Sequence, residues 1–501
     1  MKKALSLILV LILLMTTIPA LTDGIAIKDE RPTLKVLMNS TSYDPNAIIE
    51  TAVTEQVTGY HVEYSNLPSD QRDTALLMAV SSQEDYDLIC CSAATYSALR
   101  DQGMLTPLNE YIDALAHELW DCIPKGAWNG VSDEDGNVYA FSKLYTLQRE
   151  ICSNLAVRMD LVKAAGIETL PTTVEGFHGM LKELKAFYGD QYIIWTGPYI
   201  KNTVSQNMGI PLNISGAFGI YNDWMVDDNG KVIYYTEHKN FPALIEYMNT
   251  MYNEGLIDID YAANKFGDVD QKFASGKAIV SSCSRETIAE VYAALGDINV
   301  TLDDVEFIGP LFGEDGTCVY QETSQYSSYW CIPIYAQNAA DVVNWIKLKV
   351  ANQQIINLGE EGIHFTWDET GYPQPIQPAF TDERNKSSAF VMFAEMESFA
   401  VLFSARLRKN PAIWKEYTSS TIAFNEEHAD LWLPAYFAFC SYSDYTTYEP
   451  VLLNELTVYL QQLVTGIKTI DTLPTFMSDF ANNEGEIVRE ALQKWYDTYY
   501  K

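Results

Sequence analysis

The chain has 501 residues, of which 48% are hydrophobic and 20% charged, and its formal net charge is -34. Because single cores stop growing near ~250–300 residues, this length predicts at least two lobes. The excess of acids argues against a nucleic-acid or anionic-membrane partner, since both need clustered Lys and Arg, and favours a solvated surface that keeps the protein soluble.

The N-terminal residues have the three parts of a secretory signal peptide. Lys2 and Lys3 precede an apolar run, and small residues follow it, so residues 1–26 are predicted to be the signal, cleaved between 20 and 26. The run is shorter than the ~20 residues that a membrane-spanning helix needs. No Cys lies within residues 18–25 to carry a lipid anchor. We therefore expect a secreted protein, at the cell surface, extracellular or periplasmic, without that anchor.

Strand-like and helix-like segments alternate after the signal. The predicted strands are residues 33–39, 61–67 and 86–91, and the predicted helices are residues 44–60, 74–82 and 92–103. This order predicts a parallel sheet covered by helices, with ligand bound beyond the carboxyl ends of its strands. Asn39, Ser40 and Tyr43 follow the first strand, and Ser92 and Tyr96 follow the third, so we expect them at a cleft. The alternative for Ser92 is that it only caps a helix.

The later part of the chain gives further helix and turn signals. Thr172 with Glu175 is read as a capping box at the start of a helix. Residues 227–231, DDNGK, predict a turn between extended segments. From Phe380 onward the pattern is mainly helical. Because no Ser/Gly/Pro-rich linker occurs, the lobes are expected to be joined by short crossovers, with candidates at residues 141–151, 281–286 and 359–365.

Residue types suited to metals or disulfides are present, but their spacing gives little support for a metal site or a disulfide framework. Asp133, Asp135 and Asn137 start like a calcium loop, yet Gly136 takes the fourth position and Leu144 the twelfth, so a turn is favoured. The eight Cys show no zinc spacing and favour buried thiols, with one or two disulfides as the alternative. No metal site or other cofactor is predicted.

Five segments resemble, in order and roughly in spacing, the sequence elements of the family 1 extracellular solute-binding proteins of bacterial ABC importers. They are LTPLNEYI at 105–112, DGNVYAFS at 135–142, VRMDLVKAAGI at 157–167, YNEGLIDID at 252–260 and GEEGIHF at 359–365. Ile259 stands where the family has Pro, and Phe365 where it has Tyr. The nearest subgroup is the oligosaccharide-binding type that includes alginate-oligosaccharide receptors.

The resemblance implies an α/β, type II periplasmic-binding-protein fold, with two lobes, a hinge and an interlobe cleft. The N-terminal lobe would hold residues 33–142 and about 306–358, and the C-terminal lobe residues 148–305 and about 362–501, with a helical C-terminal extension. It also implies a monomer that captures a sugar or oligosaccharide and docks to the transmembrane subunits of an ABC permease.

Aromatic side chains are the predicted ligand contacts, because their faces stack on sugar rings while polar neighbours bind the hydroxyls. They sit in loops or at predicted strand ends, and the alternative for each is core packing: Tyr43, Tyr96, Tyr145, Trp195, Trp224, Trp330 and Trp367.

The sequence lacks the Walker, HExxH, GxSxG and SxxK patterns, and its six His include no pair at metal spacing. A solute receptor is therefore favoured over an enzyme. The alternatives are a secreted glycosidase or lyase, the same receptor fold binding peptide, and an adhesin or sensor-linked receptor.

Overall fold

The computed structural model describes residues 25–39, 41, 43–144, 149, 153–197, 210–284, 287–322, 326–384 and 396–501. The predicted signal peptide up to residue 24, Ser40 and Tyr145 lie outside these residues.

The described strands are β1 Leu34–Met38, β2 Val62–Asn66, β3 Leu88–Cys91, β4 Phe141–Leu144, β5 Ser153–Arg158, β6 Ile193–Trp195, β7 Trp224–Val226, β8 Val232–Tyr234, β9 Ala278–Ser284, β10 Val305–Phe307, β11 Tyr320–Gln321, β12 Tyr326–Cys331, β13 Phe365–Trp367, β14 Pro373–Pro375 and β15 Trp432–Leu433. The first ten helices are α1 Ile49–Thr58, α2 Arg72–Ser81, α3 Ala93–Asp101, α4 Asn109–Leu115, α5 Lys125–Gly130, α6 Met159–Ala164, α7 Val174–Tyr188, α8 Leu212–Ser215, α9 Phe241–Asn253 and α10 Phe266–Ala274. The later helices are α11 Ile288–Asp297, α12 Ala339–Ala351, α13 Gln353–Asn357, α14 Ala379–Arg384, α15 Met396–Arg408, α16 Pro411–Tyr417, α17 Phe424–His428, α18 Ser443–Val464, α19 Leu473–Phe480 and α20 Glu486–Tyr499.

The first sheet has five strands in the order β2-β1-β3-β12-β4. Strands β1, β2 and β3 are parallel, whereas β12 runs antiparallel to both β3 and β4. All four residues of β3 are buried, as are Leu34 and Val36 of β1. Apolar residues on both faces are expected of strands that helices cover on both sides, so the predicted parallel sheet is confirmed for this part of the chain.

The second sheet has four strands in the order β10-β5-β9-β6. Strand β5 runs antiparallel to β9 and β10, and β6 runs parallel to β9. Helix α7 packs on β6 through Phe177, whose ring meets that of Trp195 edge to face at 5.5 Å between centroids. The chain thus builds two separate α/β layers, one before and one after the connection from β4 to β5.

The passages between the sheets differ in part from the predicted crossovers. The chain leaves the first sheet after β4, within the predicted segment 141–151. It does not leave the second sheet at 281–286, because α11 follows β9 and packs Ile288 and Val291 into the same apolar cluster as Ala278 and Val305. It returns to the first sheet between β10 and β12.

The predicted third crossover at 359–365 also lies elsewhere. Helix α14 still contacts α1 beside the first sheet, and α16 is the next helix that contacts α11 beside the second. Hydrophobic periodicity shows that a helix has an apolar face, but not which sheet that face covers. The division into lobes at the predicted boundaries stays a prediction.

Hydrogen bonds decide two local predictions, the cap of a helix and a turn. Helix α7 is capped by Thr173, whose Oγ1 accepts from the Gly176 N–H at 3.0 Å, and not by Thr172 as predicted. The reason is register: the residue that immediately precedes the helix has the extended backbone that a cap needs. The Asp133 carboxylate accepts four bonds from Asp135, Asn137 and Tyr139, which confirms the predicted turn.

Helix α18 connects the two halves of the molecule. It packs on α3 beside the first sheet and on α9 beside the second. The Ser97 hydroxyl donates to the Ser441 carbonyl just before α18 at 2.8 Å, and the Asn249 amide donates to the Val464 carbonyl at its end at 2.9 Å. The same helix therefore holds one end against each half.

We expect Leu456→Ala in α18 to lower the free energy of unfolding by about 2–5 kcal/mol, because it removes apolar volume from a side chain that is 1% exposed. The matched change Val458→Ala, at a side chain 47% exposed on the same helix, should alter it by no more than about 0.5 kcal/mol. Urea unfolding followed by fluorescence measures both, and equal losses would contradict the packing described for α18.

Candidate functional site

The chain passes from one sheet to the other at the side of each sheet where strands end. These two sides are called the first edge and the second edge. In the first sheet Leu144 is paired with Tyr326 at this edge, and in the second Ser153 is paired with Ser284. Eight residues join β4 to β5, and since an extended residue spans at most about 3.6 Å, the ends of these two strands are at most about 32 Å apart. The carboxyl ends of β1, β3 and β4 share the first edge, and those of β6 and β9 share the second, as expected of a ligand cleft.

The predicted polar residues stand at the first of these edges. Asn39 follows β1 and is half-buried, as is Tyr43. Ser92 follows β3, and its hydroxyl accepts from the Thr95 N–H at 3.2 Å, so it caps α3. Ser40 and Tyr145 lie outside the described residues.

Four of the predicted aromatic residues are deeply buried. Tyr96 stacks on Tyr329 of β12 with 4.5 Å between ring centroids and 13° between planes. Trp195, Trp224 and Trp330 are all at most 5% exposed. Packing thus occupies a large part of each of these rings, and their role as ligand contacts stays a prediction.

Trp367 is placed apart from the strand edges. It belongs to the separate two-stranded sheet β13-β14, which packs on α15, and its ring meets Phe365 at 5.3 Å. With 38% of its surface exposed it reaches solvent, but the structure does not bring it together with the other predicted residues.

Two buried carboxyls belong to the segment before β7 and to α18. Asp223 immediately precedes β7 and is 4% exposed, and Glu449 is on α18 and is 6% exposed. Burial raises the pKa of Asp223 to about 7. Burial and the nearby Asp223 together raise the pKa of Glu449 to about 8. Within the described residues neither carboxyl has an ion-pair partner, so desolvation is uncompensated and favours the protonated form.

Tyrosines connect this carboxyl pair to both sheets. Burial raises the pKa of Tyr445 on α18, and Glu449, Asp223 and Tyr329 of the first sheet add to this. Burial also raises the pKa of Tyr235, and Asp223 and Tyr261 add to it. Tyr261 lies beside Gly197, where an added Cβ would come within 3.3 Å of its ring and where the backbone has a φ of +77°.

Gly197 comes two residues after β6, so this series of tyrosines reaches the edge of the second sheet.

Several buried polar atoms around this pair have no hydrogen-bond partner in the protein. They include Asp223 Oδ1, Trp224 Nε1, Tyr234 Oη and Tyr261 Oη, and nearer the strand edges Asn39 Oδ1, Ser142 Oγ, Trp195 Nε1 and Ser282 Oγ. Buried polar groups are nearly always hydrogen-bonded, so the unpartnered atoms near the strand ends make this region the candidate binding site, although similar atoms also occur elsewhere in the described residues.

The sequence analysis missed the central residues of this site. Asp223 precedes the predicted Trp224 by one residue, so its position could have been suspected. Glu449 and Tyr445 had no such signal, because an acid and an aromatic in a long C-terminal helix are ordinary. Tyr234 and Tyr261 likewise resemble core residues.

Metal-binding and membrane-spanning features were sought in the same residues. Within the described ranges no three His, Cys, Asp or Glu side chains are grouped to hold a metal ion. None of the helices described combines the length and apolar character that crossing a bilayer requires. Six cysteines are buried thiols, as predicted: Cys90, Cys91, Cys122, Cys318, Cys331 and Cys440.

Two α/β layers with facing strand edges and an interlayer site define the architecture of a two-lobed binding protein. Residues 40–353 match the family described as bacterial extracellular solute-binding protein, and the chain belongs to this family. A relative from Niallia circulans, described as an uncharacterized protein in the butB 5' region, is 28% identical over 173 residues. That match covers 34% of this chain and 66% of the relative, just under two thirds of its length.

Solved structures share the fold over almost the whole chain. The alginate-binding protein AlgQ2, in a structure without calcium ion, is 15% identical with a TM-score of 0.66, covering 94% of this chain and 99% of that one. The ABC-transporter substrate binding protein FusA of Streptococcus pneumoniae, in complex with kestose, is 16% identical with a TM-score of 0.64, covering 93% and 99%. The predicted type II periplasmic-binding-protein fold is confirmed.

The carboxyl pair predicts a pH dependence of stability. Both pKa values are higher in the folded chain than the ordinary 3.8 and 4.5 of the unfolded one, so folding retains protons. The stabilisation is complete below about pH 4 and is lost as the pH rises through about 7 and 8. A shift of about three pKa units corresponds to an effect on the order of 4 kcal/mol.

We expect Glu449→Gln to flatten this dependence, so that its thermal midpoint falls less than that of the wild type between about pH 5 and about pH 9. Glu455→Gln, at an exposed site on the same helix, should leave the wild-type slope unchanged. Parallel slopes for the wild type and Glu449→Gln would show that Glu449 does not hold its proton in the folded protein.

Proposed function

We propose that this protein is the extracellular receptor of an ABC-type importer, and that it binds a sugar or oligosaccharide between its two lobes and delivers it to the permease. The carrying observation is that aromatic rings and unpartnered buried polar atoms occur near the strand ends of both sheets. Sugars need both features, since their apolar faces stack on aromatic rings and their hydroxyls exchange hydrogen bonds with polar groups.

The relatives support this ligand class. AlgQ2 is described as alginate-binding, and FusA was solved in complex with kestose. Both share the fold over more than nine tenths of this chain. Tyr445 would offer a ring face to the sugar, and Tyr234 and Tyr261 would offer hydroxyls. Tyr43, half-buried near the first edge, is the predicted aromatic contact best placed to add to them.

Closure of the lobes would be selected by a ligand that contacts both of them. Transfer to the permease and a monomeric state belong to the same proposal. Export by the predicted signal peptide also belongs to it. We propose no metal or other cofactor for binding.

A glycosidase is the second candidate, because two buried carboxyls with raised pKa values are also what acid catalysis on a glycoside requires. The membership in a solute-binding family favours the receptor. A receptor leaves the glycan unchanged, whereas a glycosidase degrades it. One assay can therefore distinguish the two functions.

We expect thermal unfolding of the protein against a panel of mono- and oligosaccharides to give a shift with one glycan class. Ligand that binds only the folded state adds about 2.7 kcal/mol at a hundredfold excess over its Kd. Mass spectrometry after incubation should recover the glycan unchanged. Degraded glycan would establish the enzyme, and a shift with peptides alone would replace the sugar by a peptide ligand.

The site itself is tested by Tyr445→Ala, which should weaken glycan binding by about tenfold through the loss of a stacking face. Tyr111→Ala, in α4 away from the strand edges, is the matched control and should bind as the wild type does. Equal binding by all three proteins would place the ligand elsewhere.

A further inference from the structure

Helix α18 is tied to both halves of the molecule, so it holds them at one angle unless it bends. Its 22 residues span about 33 Å. Just before the helix, the Ser441 carbonyl accepts from Ser97 Oγ at 2.8 Å, and the Ser441 hydroxyl accepts from Arg100 Nη1 at 3.0 Å. At its end, the Val464 carbonyl accepts from Asn249 Nδ2 at 2.9 Å. Relative motion of the two halves must therefore deform α18 or break one of these ties.

A proline lies inside α18, between the two ties. Pro450 has no N–H, so the hydrogen bond that another residue at this position would give to the Thr446 carbonyl is missing. The proline ring also crowds that carbonyl, which is why helices bend sharply at prolines. The tie at Ser441 precedes Pro450 in the chain, and the tie at Val464 follows it. The weakest turn of the helix thus joins its two anchored parts.

The surroundings of Pro450 favour bending over detachment of the helix. Pro450 is exposed, and the next residue, Val451, is 60% exposed, so this turn reaches the surface. Toward the end of the helix, by contrast, Leu456, Leu460 and Leu463 are at most 2% exposed. Detaching that end would bring these leucines into water, which costs more than bending at a turn whose hydrogen bond is already missing.

We propose that α18 is a helical hinge between the two halves and that its bending point is Pro450. The hinge works beside the two passages of the chain between the sheets, after β4 and after β10. It lets both ends of α18 stay anchored while the halves change their relative angle. This inference goes beyond the class of ligand, because it assigns the element that bends when the lobes close.

A proline can also give a helix a fixed bend without any motion. Alanine at this position distinguishes the two cases, because it restores the N–H that bonds to the Thr446 carbonyl. If α18 bends in solution, Pro450→Ala adds a hydrogen bond that bending must break, so the more bent population should fall by about two- to tenfold. If the bend is fixed, the distance between the halves has the same narrow distribution with either residue.

Pulsed electron paramagnetic resonance on the whole free protein tests the hinge, with one spin label on each half. Suitable sites are Met78 on α2, which joins two strands of the first sheet, and Phe187 on α7, which packs on the second. Both are exposed. Each is replaced by p-acetylphenylalanine, whose ketone takes the label and leaves the native thiols unlabelled. We expect a spread of distances with Pro450, and Pro450→Ala should reduce its minor component by about two- to tenfold.

Pro242→Ala is the matched control. Pro242 is also exposed and helical, but it lies in the first turn of α9, where a residue's N–H has no partner within the helix. This variant should give the wild-type distribution. Alanine favours the helix more than proline does, so we expect Pro450→Ala to fold, and circular dichroism checks the folding of each variant.

Equal distributions for the wild type and Pro450→Ala, whether broad or narrow, would overturn the hinge at Pro450. If a saccharide still raises the thermal midpoint in that case, the proposed receptor stands. The measurement needs no ligand, so it also decides the hinge if no saccharide binds. A narrower distribution for Pro450→Ala together with no saccharide binding would support the hinge and overturn the sugar receptor.

Discussion

The contact of α18 with both halves of the molecule is the constraint on which the site depends. Its first residues meet α3 beside the first sheet, and its last residues meet α9 beside the second. Without this helix the space between the two strand edges would be bounded only by the edges themselves. This helix carries Tyr445 and Glu449, whose pKa values are raised by burial and also by Asp223.

The enclosure explains why polar groups without partners gather there. An interior with low dielectric makes every unsatisfied donor or acceptor expensive, and natural cores avoid it. The described part of this chain pairs most of its buried polar groups, for example the Asn154 amide with Glu416, at 2.9 Å. Unpartnered atoms of Asp223, Trp224 and Tyr234 are grouped between the lobes, which is where a binding protein needs unused hydrogen-bonding capacity.

The acidic pair also shows how a binding site can cost stability. Placing Glu449 near Asp223 opposes ionisation of both, and the fold tolerates this because each acid can keep its proton. Most of the net charge of -34 lies on solvated residues and needs no such compensation. Asp270 is a further buried acid whose pKa burial raises, to about 6, so this cost is not unique to the pair.

The sequence by itself determined the local structure and, with the ordered segments at 105–112 through 359–365, the fold. Alternating apolar patterns gave β1 to β3 and α1 to α3, because the period of burial is a local property of strands and helices. Strand ends then placed Asn39, Tyr43 and Ser92 at the edge of the first sheet. The cap of α7 was misplaced by one residue, since Thr172 with Glu175 has the capping-box spacing, whereas the cap is Thr173, which Gly176 follows three residues later.

Only the tertiary structure decided which helix covers which sheet and which side chains meet between them. Asp223 and Glu449 lie far apart in the chain, and nothing in the residues around either one indicates the other. The aromatic predictions show the same limit, because Trp195 and Trp330 at strand ends turned inward to the core, whereas Tyr445 in a helix turned to the site. Long-range packing sets the direction in which these side chains point. The local periodicity of a single sequence does not reveal that packing.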